Sequence, residues 1–404
     1  MERCEALARH SELPCGLTRV FLSGEQRAAN GLVLGWMREA GMSARLDGIG
    51  NVAGRYEGTR PGQACLMLGS HLDTVRDAGK YDGMLGVVIA IECVHALNAA
   101  NRRLPFAIEV LGFGDEEGVR FGTTLLGSRA VAGIFDAGAL HAVDSRGLSM
   151  ERALRGFGLD PARIPEVARH KDEVLAYAEL HIEQGSVLEA EGLPVGVVTA
   201  INGFSRLAVT LQGVAGHAGT VPMRLRRDAL VAAAECVIAV ERIAAGDPEL
   251  VGTVGRIEAS PGAINVIPGE VRFTVDLRSS RDELREGAIA RMGAEFERIR
   301  DKRVLALKID SLQSHGVTRC ADWLMAQMDA AVTAEGLPVR RLPSGAGHDG
   351  MAMRSITDIC MLFVRCKGGV SHNPAEAISE EDAATGARVL ARFLENFRPP
   401  GTAA

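Results

Sequence analysis

The chain has 404 residues, of which 47% are hydrophobic and 24% are charged. This balance is typical of a soluble globular protein that is long enough for two domains with separate cores. The formal net charge of −6 gives no electrostatic reason to expect a nucleic acid or an anionic membrane as a partner. Without an apolar run of about 18 residues or a signal-like N-terminus, we expect a cytoplasmic protein. Eight cysteines without a CxxC pair argue against a disulfide framework and a thiolate zinc site.

Strand-like and helix-like patterns alternate along the chain. Short apolar runs bounded by Gly, Pro or charged residues predict strands at 65–72, 106–114, 176–184 and 358–365. Longer periodic segments predict a buried helix at 83–100 and an amphipathic helix at 379–397, with Ser379 as its N-cap. This alternation predicts an α/β layered core.

The pattern changes between residues 203 and 316. Strands are predicted at 205–213, 251–259, 271–278 and 304–310, and helices at 224–245 and 281–299. The resulting β-α-β-β-α-β order is that of a ferredoxin-like unit, with two helices on one face of an antiparallel sheet. We therefore predict an inserted domain at 203–316 and a discontinuous larger domain at 1–202 and 317–404.

Polar side chains collect where the predicted strands of the larger domain end, which is where open α/β sheets place their ligand sites. They include His71, Asp73 and Asp82, the run Asp115-Glu116-Glu117, His181 with Glu183, and His372. Imidazole and carboxylate without thiolate suit zinc, manganese, cobalt or nickel, and a shared carboxylate holds two metals about 3.5–4 Å apart. In this interpretation Asp82 is the bridge, and Asp73 accepts the free ring N–H of His71.

Each of these motifs also has a structural interpretation when it is taken alone. HLD fits a core histidine followed by a turn aspartate, and DEE fits the beginning of a helix. HIEQG fits a strand with one buried polar residue, and SHNPAE fits a helix-capping turn. Four such clusters at four predicted strand ends supply a coherent ligand set, however, and this favours a metal site.

Eight motifs together give the chain a family resemblance. GSHLDTV, KYDGMLGV, DEEGVRF, HIEQG, GHAGTVPM, DLR, SGAGHDG and SHNPAEAI follow one another in this order. The sequence resembles the M20 metallopeptidase superfamily, in particular its amidase, hydantoinase and carbamoylase branch, through essentially its whole length. The resemblance implies an α/β, di-metal aminopeptidase-like catalytic domain with an inserted ferredoxin-like α+β domain that serves as a lid and in dimerisation.

The resemblance also implies a metal site and a general base. Two divalent ions per subunit are expected, Mn²⁺ or Zn²⁺, with Co²⁺ and Ni²⁺ also suited. Glu116 would be the general base, a role in which a carboxylate takes a proton from water and delivers it to the leaving nitrogen. The residues alone leave open which of Glu116 and Glu117 takes which role. The implied ligands are His71, Asp82, Glu117, His181 and His372, with Asp82 bridging.

Further residues are implied for substrate binding. His217 would reach the active site across a homodimer, where it contacts the substrate and stabilises the oxyanion. Asn265 and Arg278 would hold the substrate carboxylate, a task that suits a planar guanidinium. Gln184 would contact the substrate amide, and His348 would line the pocket in a role that stays open.

Within this branch we expect a metal-dependent hydrolase of a ureido carboxylate. The favoured substrate is allantoate, converted to ureidoglycine, carbon dioxide and ammonia in purine degradation. The alternatives are N-carbamoyl-L-amino acid hydrolase and β-ureidopropionase. A peptidase is less favoured, because DLR offers a cation for a carboxylate and HIEQG is typical of the amidase branch. A metal-free binding protein is also less favoured, because the ligand set is intact.

Overall fold

The computed structural model describes residues 1–400 and has a mixed α/β fold. It divides into two compact units: Met1–Thr199 together with the chain from Arg319 onward, and Ala200–Thr318. These bounds lie close to the predicted division at 203–316. The function of the smaller unit as a lid or dimerisation domain stays a prediction.

The first part of the larger unit carries six strands and six helices. The strands are β1 (Ser43–Leu46), β2 (Val52–Tyr56), β3 (Cys65–His71), β4 (Ala107–Phe113), β5 (Val174–Ile182) and β6 (Val195–Ile201). The helices are α1 (Glu2–Ala8), α2 (Gly24–Glu39), α3 (Met84–Ala99), α4 (Leu126–Val131), α5 (Met150–Gly156) and α6 (Val187–Glu191).

The smaller unit follows with seven strands and two helices. The strands are β7 (Gly203–Gln212), β8 (Gly216–His217), β9 (Leu250–Thr253), β10 (Ile257–Ser260), β11 (Val266–Ile267), β12 (Glu270–Ser279) and β13 (Ala306–His315). The helices are α7 (Ala229–Ala244) and α8 (Asp282–Arg303).

The chain then returns to the larger unit with three strands and three helices. The strands are β14 (Thr318–Arg319), β15 (Arg341–Ser344) and β16 (Ile359–Val364). The helices are α9 (Asp322–Ala334), α10 (Gly350–Met353) and α11 (Glu380–Asn396). None of the helices within residues 1–400 is long and apolar enough to cross a membrane.

A nine-stranded sheet organises the larger unit, in the order β1-β2-β4-β3-β5-β16-β6-β14, with β15 beside β6. Its four central strands, β4, β3, β5 and β16, are parallel neighbours. Every residue of β3, β4 and β16 is buried, as expected for central parallel strands covered on both faces. Helix α3 is buried over most of its surface, in agreement with its nearly uniform apolar sequence. The carboxyl ends of the four strands therefore meet at one edge of the sheet.

The smaller unit contains an antiparallel sheet in the order β10-β12-β7-β13, with β9 also paired to β12. Helices α7 and α8 supply Cys236, Val240, Met292 and Phe296 to the core of this unit. The single strand predicted at 251–259 was wrong: the segment forms β9 and β10, which pair with successive parts of β12. Gly255 lies between them, and glycine in a strand-like run commonly marks such an interruption.

Candidate metal centre

The candidate ligands lie at the carboxyl ends of the four central strands. His71 is the last residue of β3, Glu116 and Glu117 follow β4, and His181 lies near the end of β5. His372 follows β16. Residues far apart in the sequence are thus brought together, because neighbouring parallel strands end at the same edge of the sheet.

His71, Asp82 and His181 form a group that we name the inner cluster, and it is almost completely buried. Asp82 Oδ1 lies 3.4 Å from His71 Nε2 and 3.2 Å from His181 Nε2. The two Nδ1 atoms contact the backbone carbonyls of Asp73 at 3.0 Å and Ile182 at 2.9 Å. A carbonyl can only accept, so each Nδ1 carries a proton and each Nε2 faces Asp82.

Asp82, Glu117 and His372 form a second group, the outer cluster. His372 Nε2 lies 3.2 Å from Asp82 Oδ2 and 3.4 Å from Glu117 Oε1. The side chain of His372 is 49% exposed, in contrast to the histidines of the inner cluster. Asp82 therefore belongs to both clusters, with one carboxylate oxygen in each.

The donor spacing fits a divalent metal in each cluster. Two donors at 2.0–2.1 Å from one tetrahedral zinc are about 3.3–3.4 Å apart, close to the 3.2–3.4 Å separations found here. Among residues 1–400, Asp82 Oδ1 finds no hydrogen-bond partner although it is buried. A buried carboxylate oxygen without a partner is costly, and a cation next to it removes that cost.

The electrostatics of the clusters also favour bound positive charge. Contacts with Asp82 and Glu117 raise the pKa of His372 to about 10. Burial alone would raise the pKa of Asp82, but the three neighbouring imidazoles hold it well below its usual value. Burial lowers the pKa of His71, but Asp82 and Glu116 outweigh this effect and raise it overall. Positive charge beside the carboxylates is therefore stabilised, whether a proton or a metal supplies it.

Glu116 and Glu117 differ in their surroundings. Glu116 is buried and is grouped with His71 and Glu117, but only Glu117 also joins Asp82 and His372. Burial raises the pKa of Glu116 well above its usual value, and the Glu117 and Asp349 carboxylates add to the effect. A carboxyl group with a raised pKa is suited to accept and return a proton near neutral pH.

The prediction that the Asp73 carboxylate accepts the ring N–H of His71 was wrong. The ring contacts the backbone carbonyl of Asp73, and the nearest carboxylate oxygen lies 3.8 Å from Nδ1. The carboxylate instead accepts the backbone N–H groups of Glu116 at 3.1 Å and Glu117 at 3.2 Å. The physical reason is that these two backbone amides follow the end of β4 and have no partner in the sheet, so they need another hydrogen-bond acceptor. Asp73 thus fixes the segment that carries both glutamates.

Gln184 lies beside both clusters. Its Nε2 donates to Asp82 Oδ2 at 2.8 Å, and its Oε1 is buried without a partner within residues 1–400. Gln184, Asp115 and His372 have positive φ values of 56°, 61° and 54°. Such backbone conformations are unfavourable for residues other than glycine and concentrate at functional sites.

The remaining predicted residues lie in different surroundings. His348 is buried, with its ring 4.6 Å from that of His181 and its Nε2 2.7 Å from Ser344 Oγ. Burial lowers its pKa well below the usual value. In the smaller unit, His217 and Asn265 are exposed. Arg278 forms a bidentate ion pair with Asp276 at 2.8 and 3.0 Å. Their roles stay predictions.

Three polar residues at the site were missed by the sequence analysis. Ser371 donates to the Asp82 carboxylate, and Glu376 accepts the backbone N–H groups of Tyr81 and Asp82. Both lie in the SHNPAE segment, whose pattern alone fits a helix-capping turn. Glu179 lies behind His181 and accepts hydrogen bonds from Tyr177 at 2.9 Å and Ser70 at 3.3 Å. A glutamate within the apolar run AYAELHI was a usable signal, because a charged residue in a central strand needs buried partners.

The fold and the clusters define a mixed α/β protein with a candidate two-metal centre at the carboxyl edge of its sheet. The profile of Peptidase family M20/M25/M40 matches residues 67–396, and the chain belongs to this family. The resemblance described above is thereby confirmed.

Relatives of known activity and structure agree with this assignment. The chain is 44% identical to an N-carbamoyl-L-amino acid amidohydrolase of Geobacillus stearothermophilus, covering 93% of this chain and 92% of that protein. It is 39% identical to allantoate deiminase of Arabidopsis thaliana, covering 98% and 81%. A crystal structure of a hydantoinase/carbamoylase family amidase from Burkholderia multivorans matches with a TM-score of 0.91 at 32% identity, covering 97% and 95%. The chain is a hydrolase of C–N bonds other than peptide bonds.

Proposed function

We propose that the protein is a metal-dependent amidohydrolase that cleaves the linear ureido C–N bond of a small substrate bearing a carboxylate. The observation that carries this proposal is the pair of His/carboxylate clusters that share Asp82, with the buried Glu116 beside them. The donor set consists of imidazoles and carboxylates, which suits Zn²⁺ or Mn²⁺, and also Co²⁺ or Ni²⁺.

The proposed role of each residue follows from its position in or beside the two clusters. His71, Asp82 and His181, together with Glu117 and His372, would hold two divalent ions per subunit. When bound, such ions acidify water and polarise a carbonyl oxygen. Glu116 takes a proton from the attacking water and delivers it to the leaving nitrogen, since its raised pKa supports both transfers.

Arg278 and Asn265 are proposed to bind the substrate carboxylate. The ion pair with Asp276 holds the Arg278 guanidinium by Nε and one terminal nitrogen. A planar guanidinium suits a carboxylate partner, as its pairing with Asp276 illustrates, and a lysine ammonium does not reproduce this geometry. Gln184 is proposed to contact the ureido amide through its Oε1, which has no hydrogen-bond partner within residues 1–400. His348 is proposed to line the pocket behind His181.

Two substrates are the leading candidates. Allantoate is favoured by the overall likeness of the motifs, and its hydrolysis belongs to purine degradation. N-carbamoyl-L-amino acids are favoured by two relatives with 44% and 42% identity that carry this activity in their names. Both molecules present a carboxylate near a ureido carbon, so Arg278 and Asn265 would serve either one.

A substrate panel tests the proposal. The purified protein, loaded with Mn²⁺ or Zn²⁺, is assayed for ammonia release from allantoate, N-carbamoyl-L-amino acids, N-carbamoyl-D-amino acids and N-carbamoyl-β-alanine. A dipeptide serves as the control for peptidase activity. We expect ammonia release from at least one ureido carboxylate and no release of free amino acids from the dipeptide. Cleavage of the dipeptide alone, or a protein that binds no metal, would contradict the proposal.

We also propose a cytoplasmic homodimer in which His217 stabilises the oxyanion in the partner subunit's site. Strand β13 is a sheet edge, and α7 exposes Leu230, Val231 and Ile238. An unpaired strand edge and exposed apolar side chains are suited to a two-fold contact. His217 itself is exposed.

Subunit mixing tests this arrangement. Inactive His217→Ala and inactive Glu116→Gln proteins are mixed under conditions in which subunits exchange. A mixed dimer contains one complete site, so partial recovery of activity is expected. No recovery despite exchange, measured by native mass spectrometry, would exclude sharing of His217 between subunits.

A further inference from the structure

Two loops must meet for the outer cluster to form. Asp82 lies in the loop between β3 and α3, and His372 lies in the loop between β16 and α11. His372 has an exposed ring and a positive φ of 54°, so packing around its side chain contributes little to its position. Other contacts therefore have to hold the His372 loop against the Asp82 loop.

Glu376 makes this connection. It lies four positions after His372, in the same loop, and is 4% exposed. Its Oε1 accepts the backbone N–H groups of Tyr81 at 2.8 Å and Asp82 at 3.1 Å. A side chain at Gly79 would collide with Glu376, since an added Cβ would lie 2.1 Å from Glu376 Cδ. The Asp82 loop is therefore shaped around this carboxylate.

Ser371 extends the connection to the ligand atom itself. Its Oγ lies 2.9 Å from Glu376 Oε2 and 2.7 Å from Asp82 Oδ2. Oδ2 is the oxygen that Asp82 contributes to the outer cluster. Glu376 thus contacts Asp82 twice, directly through the backbone and indirectly through the Ser371 hydroxyl.

We propose that Glu376 is a positioning residue that sets the metal affinity of the outer cluster by joining the Asp82 loop to the His372 loop. The proposal rests on the proposed metal centre. Removing the carboxylate leaves two buried backbone amides without their acceptor. A water that takes its place can satisfy those amides, but it is not attached to the His372 loop and so does not hold the two loops together. Partners behind metal ligands typically change metal affinity by about 10–100-fold when they are removed.

Two substitutions of Glu376 distinguish its hydrogen bonds, which position the loops, from its negative charge. Glu376→Ala removes both the acceptor and the contact with Ser371. Glu376→Gln keeps a carbonyl oxygen for the two amides and offers an N–H₂ group to Ser371 Oγ, which frees the hydroxyl proton for Asp82. We expect Zn²⁺ affinity to fall by about tenfold or more in Glu376→Ala and to stay close to wild type in Glu376→Gln.

Asp144 provides the matched control. Its Oδ1 accepts two backbone amides, from Arg146 at 2.9 Å and Leu148 at 3.0 Å, and it is 7% exposed. Its turn carries no candidate ligand. Its Oδ2 accepts Arg120 Nε at 3.2 Å, and Arg120 keeps the Phe21 and Leu22 carbonyls as partners when Asp144 is removed. We expect both Asp144→Ala and Glu376→Ala to lower the melting temperature, but Asp144→Ala to leave the Zn²⁺ dissociation constants unchanged.

The measurements are Zn²⁺ dissociation constants from competition with a chromogenic chelator, and hydrogen exchange of the metal-free protein over residues 78–86. Faster exchange of this segment in Glu376→Ala, together with weaker Zn²⁺ binding, would support the proposal. Unchanged affinity in Glu376→Ala, equal losses in Glu376→Gln and Glu376→Ala, or an equal loss in Asp144→Ala would overturn it. A wild-type protein that binds no Zn²⁺ would overturn the metal centre itself, and this result is distinguishable from the other three.

Discussion

The inner and outer clusters share Asp82 but are held in place by different means. The inner histidines lie on central strands, are 2% and 1% exposed, and have their Nδ1 atoms bound to backbone carbonyls. The outer histidine lies on a loop, and 49% of its side chain is exposed. Strand packing therefore fixes the two inner histidines, whereas polar contacts between loops hold Asp82 and the His372 loop.

This difference indicates how one fold can combine a rigid and an accessible candidate metal site. A buried, preorganised ligand set loses little entropy on binding an ion. An exposed ligand leaves room for water and substrate at the same centre, as catalytic metal positions require. The two clusters are thus expected to respond differently to substitution, except where the change affects Asp82.

The largest effect is expected from Asp82→Asn. Because Asp82 contributes one oxygen to each cluster, the loss of its negative charge weakens both at once. We expect the metal content to fall in both clusters and activity to be lost. Metal analysis of the purified variant, with Asp144→Asn as a control, measures this. If one full equivalent of metal remained bound, the bridging role would be excluded.

The second largest effect is expected from Glu116→Gln. Glutamine has nearly the same shape but cannot accept a proton, so turnover should fall by roughly 10²–10⁴-fold with both metals retained. Glu117→Gln, in contrast, should lose the metal of the outer cluster, because Glu117 and not Glu116 is grouped with Asp82 and His372. Metal content and kcat are measured for both variants.

The two glutamate variants must differ for the assignment to hold. Retained activity in Glu116→Gln at normal metal content would show that another group moves the proton. Metal loss in Glu116→Gln, with a fully loaded Glu117→Gln, would reverse the two roles.

The third effect concerns substrate binding, with both clusters left intact. Arg278→Ala is expected to lower kcat/KM for a ureido carboxylate by roughly 100-fold, because charge-assisted hydrogen bonds contribute about 1.5–3 kcal/mol each. Arg278→Lys should also have a low kcat/KM for this substrate, since a point-like ammonium does not reproduce the planar guanidinium. Metal content should stay normal in both variants.

A neutral ureido compound provides the control for Arg278. It should be a poor substrate for the wild type and almost insensitive to Arg278→Ala. An equal loss of rate with the neutral compound would mean that Arg278 acts on the ureido group or supports the fold, for example through Asp276.

The positions of the ligands at strand ends could be predicted from the sequence, because runs of buried apolar residues identify central strands and polar residues mark where they end. The contacts of Asp73 and Glu376 could not be predicted. They depend on which buried backbone amides lack a ladder partner, and this is decided only when β4 and the Asp82 loop have folded. The break between β9 and β10 was missed for a similar reason, since it depends on pairing with β12.

The smallest effect should appear as a difference in the rate at which the clusters release metal. A chelator such as EDTA reaches the outer cluster through the exposed His372, whereas the inner cluster has to open before its ion can leave. We therefore expect release in two phases, with the outer ion leaving in the faster phase. His372→Ala should abolish the fast phase and leave the slow phase unchanged. His71→Ala should abolish the slow phase and leave the fast phase unchanged, because His71 is a member of the inner cluster and not of the outer cluster. Release in a single phase in the wild type, or loss of both phases in His372→Ala, would contradict this prediction. It would mean that the shared Asp82 couples the two clusters, so that their different burial does not give them different rates of metal release.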